Sequence, residues 1–238
     1  MGKLRILQTN DFHGKLTPSR LPFLLKNRET ADLYFDCGDC IKAGNLAIPV
    51  KADTVWPMLA EANITASVPG NRESHILESV VKAKFAGATH PILCANWFCN
   101  DGTLRFQDHL ILTQNGLKIG VFGVMVAMVT DRMATRKASQ FVWANPITTA
   151  QHKAQELRPQ VDLLIALTHI GYTEDQKLAE VCPEIDIILG GHSHTVLESP
   201  RKINQTVMCQ TGSHGRYLGV YDWDGELTKA ELIPWEEI

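Results

Sequence analysis

The chain has 238 residues, 45% of them hydrophobic, enough to bury a full core and most simply arranged as one compact domain over residues 1–238. A formal charge of -3 leaves no strong basic field, which argues against a dedicated nucleic-acid surface of clustered Lys and Arg. The longest apolar run, Ile119 to Val129, is too short to span a bilayer, and Met1-Gly2-Lys3-Leu4-Arg5-Ile6 lacks a signal-peptide pattern, so a cytoplasmic protein with no membrane span is expected.

Taken in chain order, the apolar, β-branched segments predict strands at Leu4 to Thr9, Leu33 to Asp36, Ala66 to Pro69, Pro91 to Ala95, Lys118 to Met125, Val161 to Leu167 and Ile185 to Leu189. Helical spacing predicts helices at Thr54 to Asn63, Ile76 to Phe85, Ile147 to Arg158 and Thr173 to Val181, the last opening on a Thr173…Gln176 capping-box spacing. This alternation implies βαβ units and a partly parallel sheet covered by helices, an α/β fold. From Thr206 the texture changes, and Thr206 to Gln210, Leu218 to Asp222 and Lys229 to Pro234 read as closing antiparallel strands. Thr130 to Asn145 is the least regular stretch and reads as a long charged loop.

Five polar signatures terminate apolar runs: Asp11-Phe12-His13-Gly14, Gly38-Asp39, Gly70-Asn71, Thr168-His169 and Gly191-His192-Ser193-His194. In open α/β sheets the carboxyl ends of strands are where ligand-binding groups converge. Carboxylate, imidazole and amide oxygen form a ligand set for two divalent ions, Mn, Fe, Co or Zn by their O/N character. The candidate metal ligands are therefore Asp11, His13, Asp39, Asn71, His169, His192 and His194. Six cysteines at 37, 40, 94, 99, 182 and 209 sit mostly in apolar contexts and are expected as reduced core residues. Cys37-Gly38-Asp39-Cys40 brackets a carboxylate instead of opening a helix, which argues against a redox pair. A Gly-x-Ser-x-Gly elbow does not occur.

At these positions the chain resembles the calcineurin-like metallophosphoesterases, and more closely the amino-terminal catalytic domain of the 5′-nucleotidase/UDP-sugar hydrolase family. The matching phrases are Leu7-Gln8-Thr9-Asn10-Asp11-Phe12-His13-Gly14, Phe35-Asp36-Cys37-Gly38-Asp39, Pro69-Gly70-Asn71 and Leu189-Gly190-Gly191-His192-Ser193-His194. The resemblance implies a two-sheet β-sandwich flanked by helices, in α/β/β/α layers, with the metals at one rim. It implies that Asp11, His13, Asp39 and His194 bind one ion and that Asp39, Asn71, His169 and His192 bind the other, with Asp39 as the bridge. It further implies hydrolysis of a small phosphorylated substrate by attack of metal-bound hydroxide.

Two departures qualify the likeness. The family carries a histidine after the asparagine ligand, usually with an aspartate three residues on, whereas this chain reads Asn71-Arg72-Glu73-Ser74-His75. Arg72 cannot give up a proton at neutral pH, yet it can clamp a phosphate oxygen. Glu73 is read as a partner that pairs with or orients Arg72. His75 stands as the other catalytic candidate, either an acid reaching the leaving oxygen or a surface residue beginning a helix. The family's nucleotide-binding domain has no room in a chain that stops at Ile238, so nucleotide specificity is not carried over. Three readings follow: a phosphate-ester hydrolase, a phosphodiesterase or pyrophosphohydrolase of the same fold, and a weakly active sensor of phosphoryl ligands or partner-binding subunit. His214, in a Gly-Ser-His-Gly turn, is a further residue that either faces the substrate or only turns the chain.

Overall fold

The computed structural model describes residues 2–236; Met1, Glu237 and Ile238 lie outside them. In chain order the elements are β1 (Leu4–Thr9), α1 (Leu21–Arg28), β2 (Leu33–Asp36), α2 (Val55–Glu61), β3 (Ala66–Ser67), α3 (Glu78–Lys84), β4 (Trp97–Cys99), β5 (His109–Gln114), β6 (Leu117–Met125), β7 (Phe141–Trp143), α4 (Pro146–Leu157), β8 (Leu163–His169), α5 (Tyr172–Val181), β9 (Ile187–Leu189), β10 (Arg201–Ile203), β11 (Thr206–Cys209), β12 (Tyr217–Trp223) and β13 (Leu227–Pro234). They build one sheet in the order β13-β12-β1-β2-β3, a second in the order β10-β11-β9-β8-β6-β5, and a small β4-β7 pair.

Period-two alternation divides each strand between two layers. Leu4, Ile6, Leu33 and Phe35 of the first sheet meet Ile119, Val121, Leu163 and Ile165 of the second in a shared core. The opposite faces are covered by helices: Leu7 and Tyr34 pack with Leu24, Trp56 and Leu59 of α1 and α2. Phe122, Leu164 and Ala166 pack with Ala154 of α4 and Leu178 of α5. The result is the expected α/β/β/α sandwich. A satellite core of Val81, Trp97, Met125, Val129, Phe141 and Trp143 lies beside α3.

Parallel pairing decides where the polar residues emerge. β1 pairs with β2 in parallel, Thr9 opposite Asp36, and β2 with β3, Asp36 opposite Ser67. In the second sheet β8 lies parallel to β6 and β9, with Met125 opposite His169 and Leu167 opposite Leu189. The carboxyl ends of these strands therefore face one rim, where the loops carrying the five signatures leave.

Several expectations need correction. Residues 91–95 form only isolated bridges, Ser67 to Ile92 and Leu93 to Gln107. β12 and β13 do close the first sheet as an antiparallel pair, but β11 runs parallel to β9. α5 begins at Tyr172 behind Gly171 (φ 87°), so Thr173 and Gln176 lie inside it, and its first N–H donates to Ser193 Oγ at 2.9 Å. The Thr130 to Asn145 stretch is less irregular than expected, carrying a 3-10 turn at Ala134–Lys137 and then β7. All six cysteines are free, five of them buried, as expected.

Candidate metal centre

Sharp turns at the strand ends draw the polar side chains together. Asp11, His13, Asp39, His192 and His194 adopt left-handed backbone, with φ of 53°, 50°, 55°, 77° and 56°. Residues with a Cβ avoid that region, and backbone strain of this kind gathers at functional sites. The turns brace one another: Asp11 N–H donates to the Gly38 carbonyl at 2.9 Å and His13 N–H to the Asp39 carbonyl at 2.8 Å. Close packing requires glycine at 70, where a Cβ would overlap Asp39 Oδ1.

One set of donor atoms surrounds the buried Asp11. Its Oδ1 lies 3.6 Å from His13 Nε2 and 3.3 Å from His194 Nε2, and the two imidazole nitrogens are 2.8 Å apart. Oδ2 accepts from Asn10 Nδ2 at 2.9 Å and from the His192 N–H at 2.8 Å. Neither Asp11 Oδ1 nor His13 Nδ1 has a hydrogen-bond partner, a state that ordinarily costs about 1–3 kcal/mol per buried group. Burial pushes the Asp11 carboxyl up, but the nearby His194 and His169 imidazoles outweigh it and hold the group below its ordinary range. Burial and then the Arg72 cation push His13 down to about 4, so its ring is neutral at pH 7.

The other set surrounds Asn71. Its Nδ2 donates to Asn45 Oδ1 at 2.9 Å, which turns Oδ1 toward His169 Nε2 at 3.2 Å and His192 Nδ1 at 2.8 Å. The fully buried His169 donates from Nδ1 to the Cys37 carbonyl at 2.6 Å. A neutral His169 then presents a lone pair at Nε2 both to Asn71 Oδ1 and, at 3.5 Å, to Asp39 Oδ1. Three acceptors facing one another repel unless a cation or a proton lies among them. Burial pushes His169 down, but Asp39 and Asp11 outweigh it and raise the imidazole.

Asp39 spans the two sets, with Oδ1 near His169 and Oδ2 3.9 Å from His13 Nδ1. Among carboxylates and imidazoles, ligand atoms mutually within 4.8 Å group Asp11 with His13 and His194, and Asp11 again with Asp39 and His169. Asp11 is thus common to both groups. All seven sequence-derived ligand candidates meet at this rim, and their oxygen and imidazole donors suit divalent cations.

Arg72 stands at the edge of the cluster. Its backbone N–H donates to Asp39 Oδ1 at 2.7 Å, and its half-buried side chain donates from Nη1 to the Lys42 carbonyl at 3.1 Å, with Nε 3.9 Å from Asp39 Oδ2. His75 takes a different course. Its Nδ1 accepts from the Leu77 N–H at 3.0 Å, and the ring lines a neighbouring cavity with Asn45, Ser74 and Trp143. Burial and then Lys84 lower its proton affinity, so it is neutral at pH 7.

Four residues escaped the sequence reading in part or whole. Glu73 does not orient Arg72: its buried carboxylate accepts from the N–H groups of Asp39 (2.9 Å), Gly70 (2.8 Å) and Ile41 (3.1 Å), tying together two ligand loops. Asn10 holds Asp11, and Asn45 holds Asn71. Lys84, 1% exposed, donates to the carbonyls of Gly44, Asn45, Arg72 and Ser74 at 2.6–3.0 Å. His214, also left-handed at φ 60°, sits with its ring 4.8 Å from that of His13, at the mouth of the cluster. Burial pushes the Cys37 and Cys40 thiols well above their ordinary range, the reverse of a redox-active pair.

Comparison with known proteins agrees with this architecture. An uncharacterized metallophosphoesterase of Bacillus subtilis, YunD, is 26% identical over 234 residues, covering 91% of this chain and 49% of the relative. A 5′-nucleotidase of Vibrio vulnificus is 25% identical over 289 residues, covering 98% of this chain and 51% of the relative. The chain thus spans about half the length of these relatives. Among solved structures, a 5′-nucleotidase precursor from Thermus thermophilus superposes with a TM-score of 0.80 at 21% identity, over 98% of this chain and 54% of that one. Among the described residues no helix is long and apolar enough to cross a membrane. With its sandwich fold, its rim of strand-end ligands and a match to the family model over residues 4–196, the chain belongs to the calcineurin-like phosphoesterase family.

Proposed function

We propose that the protein is a metal-dependent phosphoesterase that hydrolyses small phosphate esters at two divalent cations. In this reading Asp11, His13, Asp39 and His194 hold one ion, and Asp39, Asn71, His169 and His192 hold the other. The observation that carries it is the convergence of ligand-type atoms on one rim: Asn71 Oδ1, Asp39 Oδ1 and His169 Nε2 on one side, and Asp11 Oδ1 and His13 Nδ1, buried without hydrogen-bond partners, on the other. Two such cations, when bound, neutralise phosphoryl charge and lower the pKa of water.

The chain's own groups do the rest. Glu73 fixes the loops of Asp39 and Gly70 through three N–H groups, so the ligands meet without rearrangement. With Nη1 of Arg72 anchored on the Lys42 carbonyl, its remaining N–H groups serve a phosphoryl oxygen as a fixed fork of donors. His75, neutral and carrying its proton on Nε2, is a positioning or binding residue rather than an acid. Without an acid at position 72, esters whose leaving oxygen needs no proton are favoured, which also admits phosphodiesters and anhydrides. Because a relative is named as a 5′-nucleotidase, nucleoside monophosphates are among the candidates to be tried.

The test is turnover of nitrophenyl phosphate, a nitrophenyl diester, a diphosphate and AMP after reconstitution with Mn, Fe, Co or Zn, alongside an elemental metal count. The expected result is two ions per chain and aryl esters turned over far faster than AMP. One ion or fewer at saturation would end the dinuclear reading, and AMP hydrolysis matching the best aryl ester would show that proton donation is intact.

A further inference from the structure

Beside the metal centre lies a cavity of about 160 Å³ that the phosphoryl chemistry does not use. Its apolar wall is made of Leu46, Ile76, Met128, Val129 and Trp143, and its polar edge of Asn45, Ser74 and His75. The polar edge is joined to the ligand set. Asn45 Oδ1 accepts from Asn71 Nδ2 at 2.9 Å, and Ser74 donates from Oγ to the Asn71 carbonyl at 2.8 Å. The walls are fixed in advance, because Lys84 ties the carbonyls of Asn45 and Ser74 together at 2.9 and 2.8 Å, and Trp143 N–H donates to the Val129 carbonyl at 2.8 Å.

We propose that this cavity is a subsite for the organic group of the phosphorylated ligand, and that the group it takes is a single apolar ring. The inference rests on the phosphoesterase reading and adds the identity of what the phosphate is attached to. Size supports it: an apolar cavity of about 150 Å³ accepts one benzene molecule. Chemistry supports it as well, since a hydroxyl-rich group would leave its water for a wall of aliphatic and indole carbon. A further observation fits an apolar occupant: Leu46, on the cavity wall, is 86% exposed, so a ring in the cavity would cover apolar surface that now faces water.

Benzyl phosphate and ethyl phosphate provide a matched pair, because both release a weakly acidic alcohol and differ chiefly in the ring. With the Mn(II)-loaded protein, the kcat/KM for benzyl phosphate is expected to exceed that for ethyl phosphate by about tenfold or more, carried mainly by KM. Ile76→Trp, which fills the cavity from its wall, and Thr135→Trp, at an exposed residue that also lines it, should each bring that ratio close to one. A readout that needs neither metal nor turnover is the indole N–H resonance of Trp143, assigned with Trp143→Phe, during titration with benzyl alcohol; a saturable shift is expected. Equal kcat/KM for the two esters, or a preference that survives both filling variants, would overturn the subsite while leaving the phosphoesterase reading intact. If neither ester is turned over, nitrophenyl phosphate separates the readings: its turnover keeps the phosphoesterase reading, and its absence with every metal overturns that reading. In that case the indole titration still decides the cavity: a saturable shift upholds ring binding, and no shift removes it.

Discussion

The two halves of the candidate metal centre are built to different standards. Around Asn71 two of the candidate ligands are oriented from behind: Asn71 by Asn45, and His169 by the Cys37 carbonyl. Around Asp11 the histidines have no such backing. His13 Nδ1 is buried without a partner, and His194 keeps 42% of its side chain in solvent. Outer partners that fix a ligand's tautomer and direction raise metal affinity by roughly 10–100-fold. The Asn71 half is therefore expected to load first and empty last, and the Asp11 half to be the exchangeable one.

The largest expected effect erases this difference. Asp39 touches both halves, so Asp39→Asn should take the metal count from two to below one and lower aryl-ester turnover by at least about 10³-fold. Elemental analysis after desalting checks the first and steady-state kinetics the second; a variant retaining both ions would break the account of Asp39 as the shared ligand. Next in size is the contrast between halves. Titrating the loaded protein with a chelator should remove metal in two steps separated by roughly 10–100-fold in free chelator strength. His194→Ala should delete the early step only, and a single step in the wild type would mean that the halves are equivalent.

Glu73→Gln probes what the halves share. It sets an amide N–H₂ against the backbone N–H groups that the carboxylate now accepts from, so a loss of about 1–3 kcal/mol is expected, together with weaker metal at both steps. For a chain of this size that corresponds to a fall in Tm of about 2–4 °C per kcal/mol, read by calorimetry. An unchanged Tm would show that the loops hold themselves. The smallest expected effect is on a slope. Behind the Asn71 half, Asp175 is buried and accepts from Thr168 Oγ1 at 2.7 Å, and burial raises its pKa to about 7. Its folded pKa exceeds the unfolded value of about 3.9, so its contribution to stability is full below pH 4 and is lost as pH rises through 7. Asp175→Asn should flatten the pH dependence of Tm of the metal-free protein between pH 4 and 7. A slope that persists unchanged in the variant would assign the titration elsewhere.

What the sequence revealed and what it hid divide along the same physical line. The seven candidate ligands that meet at the rim were legible because each is a polar residue at or just beyond the end of an apolar run, usually beside a glycine, a position where packing alone gives no reason for it. A partly parallel sheet covered by helices was legible from apolar runs such as β1, β6 and β8 alternating with helical spacing, whereas the second sheet of the sandwich came only with the family resemblance. β5 was missed, because it is an edge strand with every residue at least partly exposed and little contrast between its faces. α1 was missed because Leu21-Pro22 opens it without an Asp, Ser or Thr cap. Glu73 was assigned to the wrong partner because its true partners are backbone N–H groups, which every sequence contains and none displays. Lys84 lies in the predicted helix Ile76 to Phe85 with nothing in the sequence to single it out, and only the meeting of the 44–45 and 72–74 loops makes it an internal fastener.

The left-handed turns at Asp11, His13, Asp39, His192 and His194 also govern the order of maturation. Each such conformation is sparsely populated in a free chain, at a cost of order 1–3 kcal/mol, so five of them together are not held before the sheets assemble. A nascent chain consequently offers an ion no formed pocket, and the sandwich comes first with metal as a later cargo. In kinetic terms, Mn(II) should leave the refolding rate unchanged and slow unfolding instead, and which ion the protein carries becomes a record of the solution it met after folding.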